Sequence, residues 1–448
     1  IQPGRATTDA MQHQPQPHDN LYRQPGSDRS TVLHRPRTTI GVILGAVFLL
    51  AAGSALQGTV VSLRAGYENF PDQIIGIIMS VYFIGFAAGS MAVVGFIRYV
   101  GYVRTFAAFA SLASATALAH LLVLHPAAWI VFRALYGFFI AGMLVIVESW
   151  LNASTSTYNR GKVLSLYSIV FLLAMGAGQP LLGVLPASGF ELFAVTSILV
   201  SVSLVPLTLA QVTGAPQVER KPPRLLSTFA KAPLAGFGVI VSGMSAEAMW
   251  SIAPLFGQQS GFSEASIGTF MLTISLGSLA SQWPLGWISD RSDRRITILG
   301  SAAAAAAAAA VIALIPQAGA GLYLFTFLFG AFCMPLYSLN IALFNDSLNE
   351  TEMVHAASAL VVYYGLGSAL GPYTASLVMS VTGPGGLFLF LGIVLGVFVI
   401  ASLLRVAAVP LRIRQEKVHY HPYPRTTFAA FNLLRRYGNR RRRRRTPV

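Results

Sequence analysis

The chain has 448 residues, of which 54% are hydrophobic and only 10% charged, with a mean hydropathy of +0.62. Soluble globular chains carry about 25% charged residues, so this composition excludes a water-soluble enzyme or binding domain. The net charge of +15 sits mostly in the tails and does not describe the apolar body, so nucleic acid is not an expected partner.

Residues 1–37 are polar, rich in Pro, Gln, His and Arg, and read as a disordered cytoplasmic tail. They lack the roughly 7–15-residue apolar stretch of a signal peptide. A membrane-spanning helix needs about 20 apolar residues, and twelve such stretches follow. The first six run 38–62, 73–96, 103–124, 127–152, 163–186 and 189–211, making a half that covers 38–211. Residues 212–232, with Pro216, Pro222 and Pro223 beside Arg220, Lys221 and Arg224, read as a cytoplasmic linker. The second half, 233–406, carries spans at 233–256, 265–288, 296–315, 319–345, 355–381 and 385–406. Within it, nine alanines at 302–310 make a closely packing helix surface. Residues 407–448 form a basic tail ending in six arginines, Arg440–Arg445. Each arginine near an anionic leaflet adds about 1 kcal/mol of attraction, so anionic lipid is the tail's expected partner.

Lys and Arg favour the cytoplasmic side of short loops. With the N-terminus in the cytoplasm, 29 of the 31 Lys and Arg fall in inner tails and loops. Arg64 falls in an outer loop and Arg133 inside the fourth span. Short loops alone give 11 inside against one outside, so both termini are expected in the cytoplasm. A single cysteine, Cys333, excludes an intramolecular disulfide and a cysteine-clustered metal site. No Walker-type phosphate loop, metal constellation or nucleophile–base pairing is present, so neither an ATP-driven pump nor an enzyme is expected, and no cofactor.

The two halves echo each other. Adding 193 to Arg98, Gly137 and Asn152 lands on Arg291, Gly330 and Asn345, and Pro180 answers Pro372 at an offset of 192. Between spans eight and nine lies Gly286-Trp-Ile-Ser-Asp290-Arg291-Ser-Asp293-Arg294-Arg295, a charged turn that cannot lie in hydrocarbon. Its spacing resembles the cytoplasmic loop signature of the major facilitator superfamily, with Asp293 where a glycine is usual. The loop after span two keeps Arg98, Gly101 and Arg104 but lacks the acid. Arg133 with Gly137 resembles the superfamily's membrane-embedded arginine motif, and Gly176 to Gly183 partly matches its antiporter glycine–proline motif. Glu148-Ser-Trp-Leu-Asn152 and the stretch Tyr364 to Pro372 look like a bacterial branch of largely uncharacterised permeases. The resemblance covers roughly residues 38–406. It implies an all-α protein of twelve transmembrane helices in two pseudo-symmetric six-helix halves. It also implies the bacterial cytoplasmic membrane, a monomer, and helices 1, 4, 7 and 10 around a central cavity.

Ionisable residues at a helix centre cost about 2.5–3.5 kcal/mol each and are functional candidates by default. The resemblance puts Glu247 across the cavity from Arg133, with Gln57 at similar depth. Burial and a nearby guanidinium pull a carboxyl's protonation in opposite directions. A solute ion competing for that pair would switch Glu247's protonation, which is a proton-coupling device; a permanent ion pair locking the halves is the plain alternative. Trp250, three residues from Glu247, shares its helix face and offers a ring for an aromatic or cationic solute. Tyr337 and Asn340 are the cavity candidates of span ten, while Gln179, Gln282, Asn345, Tyr363 and Tyr364 read as interhelical hydrogen bonds. Glu148, near the inner end of span four, is expected to pair with Arg98, Arg104 or Arg160 and hold the cytoplasmic side shut. Gly286, Asp290, Arg291, Arg294 and Arg295 are expected to do the same for the second half. His120 reads as a packing residue rather than a proton relay. Gly178 with Pro180, and Gly371 with Pro372, give spans five and eleven thin, bendable faces.

The expected function is secondary active transport of a small organic solute by alternating access, coupled to protons. Sparse charge and many aromatics favour export of amphiphilic compounds. Uptake of a metabolite or an organic anion drawn by Arg133 is the alternative. A membrane sensor or scaffold acting through its tails is a third reading, of another class.

Overall fold

With no water in hydrocarbon, every backbone N–H and C=O must bond within the chain, and for a single crossing that requirement leaves the helix. The computed structural model describes residues 36–156, 159–209, 225–314, 319–347 and 353–408, which are overwhelmingly helical, with no strand among them. The first 35 residues, linker positions 210–224 and the basic tail from 409 with Arg440–Arg445 lie outside the described residues.

The first part comprises α1 (Pro36–Tyr67), α2 (Asp72–Val100), α3 (Tyr102–Leu122), α4 (Pro126–Ala153) and α5 (Arg160–Ala177). A tight 3₁₀ turn (Gln179–Gly183), α6 (Glu191–Val202) and α7 (Leu204–Leu209) complete it. The short α8 (Leu225–Lys231) opens the second part, followed by α9 (Pro233–Gln259), α10 (Glu264–Arg291), α11 (Arg294–Leu314) and α12 (Ala320–Cys333). It ends with α13 (Leu336–Asp346), α14 (Met353–Thr382) and α15 (Gly386–Ala408). Among the described residues, ten stretches are long and apolar enough to cross a membrane. Helices α10 and α14, at 28 and 30 residues, match them in length.

Several spans differ from their expected outlines. Helix α1 continues to Tyr67, so Arg64 lies in its last turn instead of an outer loop, and bonds Glu68 four residues on (Nε–Oε1 2.8 Å). Such i,i+4 pairs extend a helix past its apolar core. Helix α10 likewise runs through Asp290 and Arg291, which shortens the charged turn to Ser292–Asp293. Span five breaks after Ala177 and span ten at Met334–Pro335, because Pro180 and Pro335 lack the N–H that would continue the ladder. Asp293, where the loop signature has glycine, accepts the Arg295 backbone N–H at 2.9 Å and so caps α11.

The helices meet through glycine. A Cβ on Gly85 or Gly89 of α2 would collide with the carbonyls of Ala134 and Phe138 in α4, and one on Gly137 with the carbonyl of Tyr82. The sequence offset reappears in these contacts. The close pair Tyr82/Gly137 recurs as Ile274/Gly330 between α10 and α12, and Ala52/Gly178 recurs as Met244/Gly371 between α9 and α14. The two parts touch through α2 against α14, α1 against α9, and α5 against α10.

Gly85→Ala is expected to lower the melting temperature of the detergent-solubilised protein by several degrees, since overpacking costs about 1–3 kcal/mol. Gly95→Ala, where an added Cβ meets nothing within 4 Å, is expected to melt like the wild type. Equal melting temperatures for the two variants would contradict the backbone contact.

Candidate functional site

Helices α1, α2, α4, α5, α9, α13 and α14 enclose a cavity of about 160 Å³ between the two parts of the chain. Its walls are aromatic and aliphatic, and the charged residues among them are Arg133 of α4 and Glu247 of α9. Trp250 and Tyr337 line the same space.

Arg133 is 3% exposed. Its Nη1 donates to Gln57 Oε1 at 2.6 Å, Nη2 lies 3.8 Å from Met79 Sδ, and the guanidinium carbon stands 4.6 Å from the centre of the Tyr82 ring. Gln57 itself is fully buried behind the wall, holding Arg133 instead of facing the cavity. A desolvated guanidinium over an aromatic face gains about 2 kcal/mol, which offsets part of its burial cost. No carboxylate pairs with Arg133 among the described residues. The permanent Arg133–Glu247 ion pair considered from the sequence is therefore not formed. Glu247 Oε1 instead accepts the Tyr364 hydroxyl at 2.6 Å, and the Tyr364 ring meets Tyr337 at 4.6 Å between centroids.

Hydrogen bonds between the two parts gather at one end of the bundle. Glu264 of α10 accepts the Tyr67 hydroxyl (2.7 Å) and the Ala187 backbone N–H (2.8 Å). Gln259 donates to Asp72 at 2.8 Å, and Gln73 to Ser380 at 3.3 Å. Beside Pro372, the Tyr373 backbone N–H donates to Ser80 Oγ of α2 at 3.1 Å. Along α2 the wall runs from buried Met79 to exposed Ala87, so the cavity opens towards the other end, where the α10–α11 turn lies.

At that open end Arg294, 2% exposed, is a hub within the second part. Its Nε bonds Asp346 Oδ2 of α13 at 2.7 Å, Nη2 pairs with Asp290 at 3.1 Å, and Nη1 donates to Ser289 at 3.2 Å. Arg295 pairs with Asp293 (2.8 Å), Arg291 lies over the Trp287 ring (4.0 Å), and Gly286 is buried in α10.

Glu148 is buried and accepts the Tyr167 hydroxyl at 2.8 Å; Arg98 and Arg104 are exposed, and the side chain of Arg160, the third candidate partner, lies outside the described residues. Two sequence expectations are corrected. Asn340 does not line the cavity: its amide packs against Gly238 of α9 and donates to the Leu336 carbonyl at 2.8 Å. Pro180 does not bend a continuous helix but opens the 3₁₀ turn after α5. His120 is enclosed by Trp129, Phe132 and Phe193, as a packing residue should be.

The wall residues Tyr82, Phe83, Phe86 and Phe171 were not singled out from sequence. The one signal was a tyrosine hydroxyl, Tyr82, set within the apolar α2. Tyr364 was noted only as an interhelical hydrogen-bonding residue, and its partner proves to be Glu247.

The profile of the Major Facilitator Superfamily matches residues 43–236 and 235–441. An uncharacterised MFS-type transporter of Yersinia pestis is 28% identical over 373 residues, covering 81% of this chain and 94% of the relative. The uncharacterised MFS-type transporter YcaD of Escherichia fergusonii is 25% identical over 372 residues, with coverages of 81% and 94%. Among solved structures, the nucleoside transporter NupG superposes with a TM-score of 0.68 at 14% identity, covering 82% of this chain and 98% of that one. The human organic anion transporter MFSD10 gives 0.53 at 14% identity, with coverages of 82% and 99%.

Asp346→Asn removes the shorter bond to a buried arginine and is expected to cost on the order of 3 kcal/mol. Asp290 is more exposed, at 22%, and Asp290→Asn leaves Arg294 anchored to Asp346, so about 1 kcal/mol or less is expected. Thermal unfolding of the two variants checks the order, and a larger loss in Asp290→Asn would reverse the assignment of Arg294's main anchor.

Proposed function

The chain belongs to the major facilitator superfamily and is a multi-pass bacterial transport protein, not an enzyme; on that footing we propose that it moves a small amphiphilic organic solute by proton-coupled alternating access. The reading takes twelve helices in two six-helix halves, counting α10 and α14 as spans and joining α12 to α13. Its support is the recurrence of the same glycine contacts in both parts, at the same spacing. With both termini in the cytoplasm of a cell bounded by its inner membrane, the open end faces inward and the state is inward-open.

The observation that carries the proposal is the presence of Arg133 and Glu247 on one cavity wall without a direct bond between them. A carboxyl there can change protonation as a solute arrives or leaves, and the transition between states carries that proton across. The Glu264, Asp72, Gln73 and Ser80 bonds hold the outer side closed in this state, and they must break for the outward-open state to form. Aromatic walls suit export of an amphiphile. Uptake of an organic anion is the second reading, favoured by the lack of a carboxylate partner on Arg133.

Proton flux in inverted membrane vesicles, challenged with lipophilic cations, amphiphilic drugs and organic acids, tests both. Wild type is expected to dissipate the pH gradient with at least one compound, and Glu247→Gln, at equal expression, to lose that response. A fully active Glu247→Gln would remove Glu247 from coupling.

A further inference from the structure

Three buried hydrogen-bond donors in and behind the cavity wall have no acceptor among the described residues: Arg133 Nε, Gln57 Nε2 and Trp250 Nε1. Their side chains are 3%, 0% and 8% exposed. An unmet buried donor costs about 1–3 kcal/mol, more when charged. All three lack the same thing, an oxygen that accepts. The acceptors in place are engaged, since Gln57 Oε1 takes Arg133 Nη1 and Glu247 Oε1 takes the Tyr364 hydroxyl. The Nε–Nη2 edge of Arg133 meets no oxygen at all, with only Met79 Sδ at 3.8 Å from Nη2. That edge is one fork of the guanidinium, and two parallel N–H groups match a carboxylate better than any other small group.

We propose that the solute of this site is a small organic carboxylate, its head group taken by the Nε–Nη2 edge of Arg133, which Gln57 steadies from behind the wall, and by the Trp250 N–H, with its apolar or single-ring body lying against Tyr337 and Tyr364. The inference rests on the transport reading above and names its substrate class. The cavity volume agrees: about 160 Å³ is close to the roughly 150 Å³ pocket that accommodates one benzene ring. A cationic solute is disfavoured, because the Arg133 guanidinium already occupies the face of Tyr82 and repels a second positive charge. Glu247 opposes an anion only while ionised, so carboxylate binding and uptake of a proton by Glu247 favour each other. The other titratable groups on the wall are the tyrosines Tyr82, Tyr337 and Tyr364.

The test is thermal stabilisation of the purified full-length protein by benzoate and phenylacetate, with benzylamine and benzyl alcohol as matched probes. The carboxylates are expected to raise the melting temperature while the amine and alcohol do not. Arg133→Gln is expected to weaken the carboxylate effect about tenfold or more, as loss of a charged hydrogen-bond partner does. Trp250→Phe, which keeps a ring but removes the N–H, should weaken it a few-fold and carries the test should Arg133→Gln not fold. No response to either carboxylate, an equal response to benzylamine, or undiminished carboxylate binding in the variant that folds would each overturn the proposal. If a lipophilic cation drives proton flux while carboxylates fail to bind, the transport reading stands and this inference falls. If carboxylates bind and Arg133→Gln abolishes the effect without any proton flux, the inference stands and coupling falls.

Discussion

Lipid tails are as apolar as leucine, so burying leucine between two membrane helices gains little, and association must come from close contact and hydrogen bonding. The glycine contacts meet that constraint directly. Gly85, Gly89 and Gly137 bring α2 and α4 to backbone-to-backbone distance, and Gly277 and Gly330 do the same for α10 and α12. Gly367 and Gly371 seat α14 on α9. In these pairs backbone meets backbone because no side chain intervenes. Between the two parts the hydrogen bonds gather at one end, beside close glycine approaches of their own, since an added Cβ on Gly268 would meet the Gln179 carbonyl and one on Gly76 the Tyr373 backbone.

Charge is distributed on the same logic. Arg294 is consumed by structure, bound by Asp290 and Ser289 of α10 and Asp346 of α13. Arg133 has a carbonyl oxygen of Gln57, a sulfur and an aromatic face, none of which neutralises it. Both are nearly fully buried arginines, and only the first is balanced by acids. The difference in partners separates an arginine that pins helices from one whose charge no acid offsets among the described residues.

Much of this was legible in the chain itself. Hydropathy alone locates the spans, though not their ends or breaks, because the cost of placing charge in hydrocarbon is a property of each residue and not of its neighbours. The loop Gly286 to Arg295, the place of Arg133 and Glu247 inside apolar spans, and the repeat offset of 192–193 are all readable from residue order, and residue order also put Trp250 on the face of Glu247. What residue order does not contain is which faces of separate helices meet. Hence Tyr82 went unnoticed as the ring under Arg133, Tyr364 as the partner of Glu247, and Tyr167 as the partner of Glu148. Asn340, polar and at cavity depth, turned its amide to α9 because Gly238 leaves room for it there. Helix rotation about its own axis is set by packing against several neighbours at once, and a one-dimensional pattern fixes depth far better than it fixes azimuth. Depth, span and sign of charge were therefore in the sequence, while partner, facing and the closed end of the bundle came only with the contacts between helices.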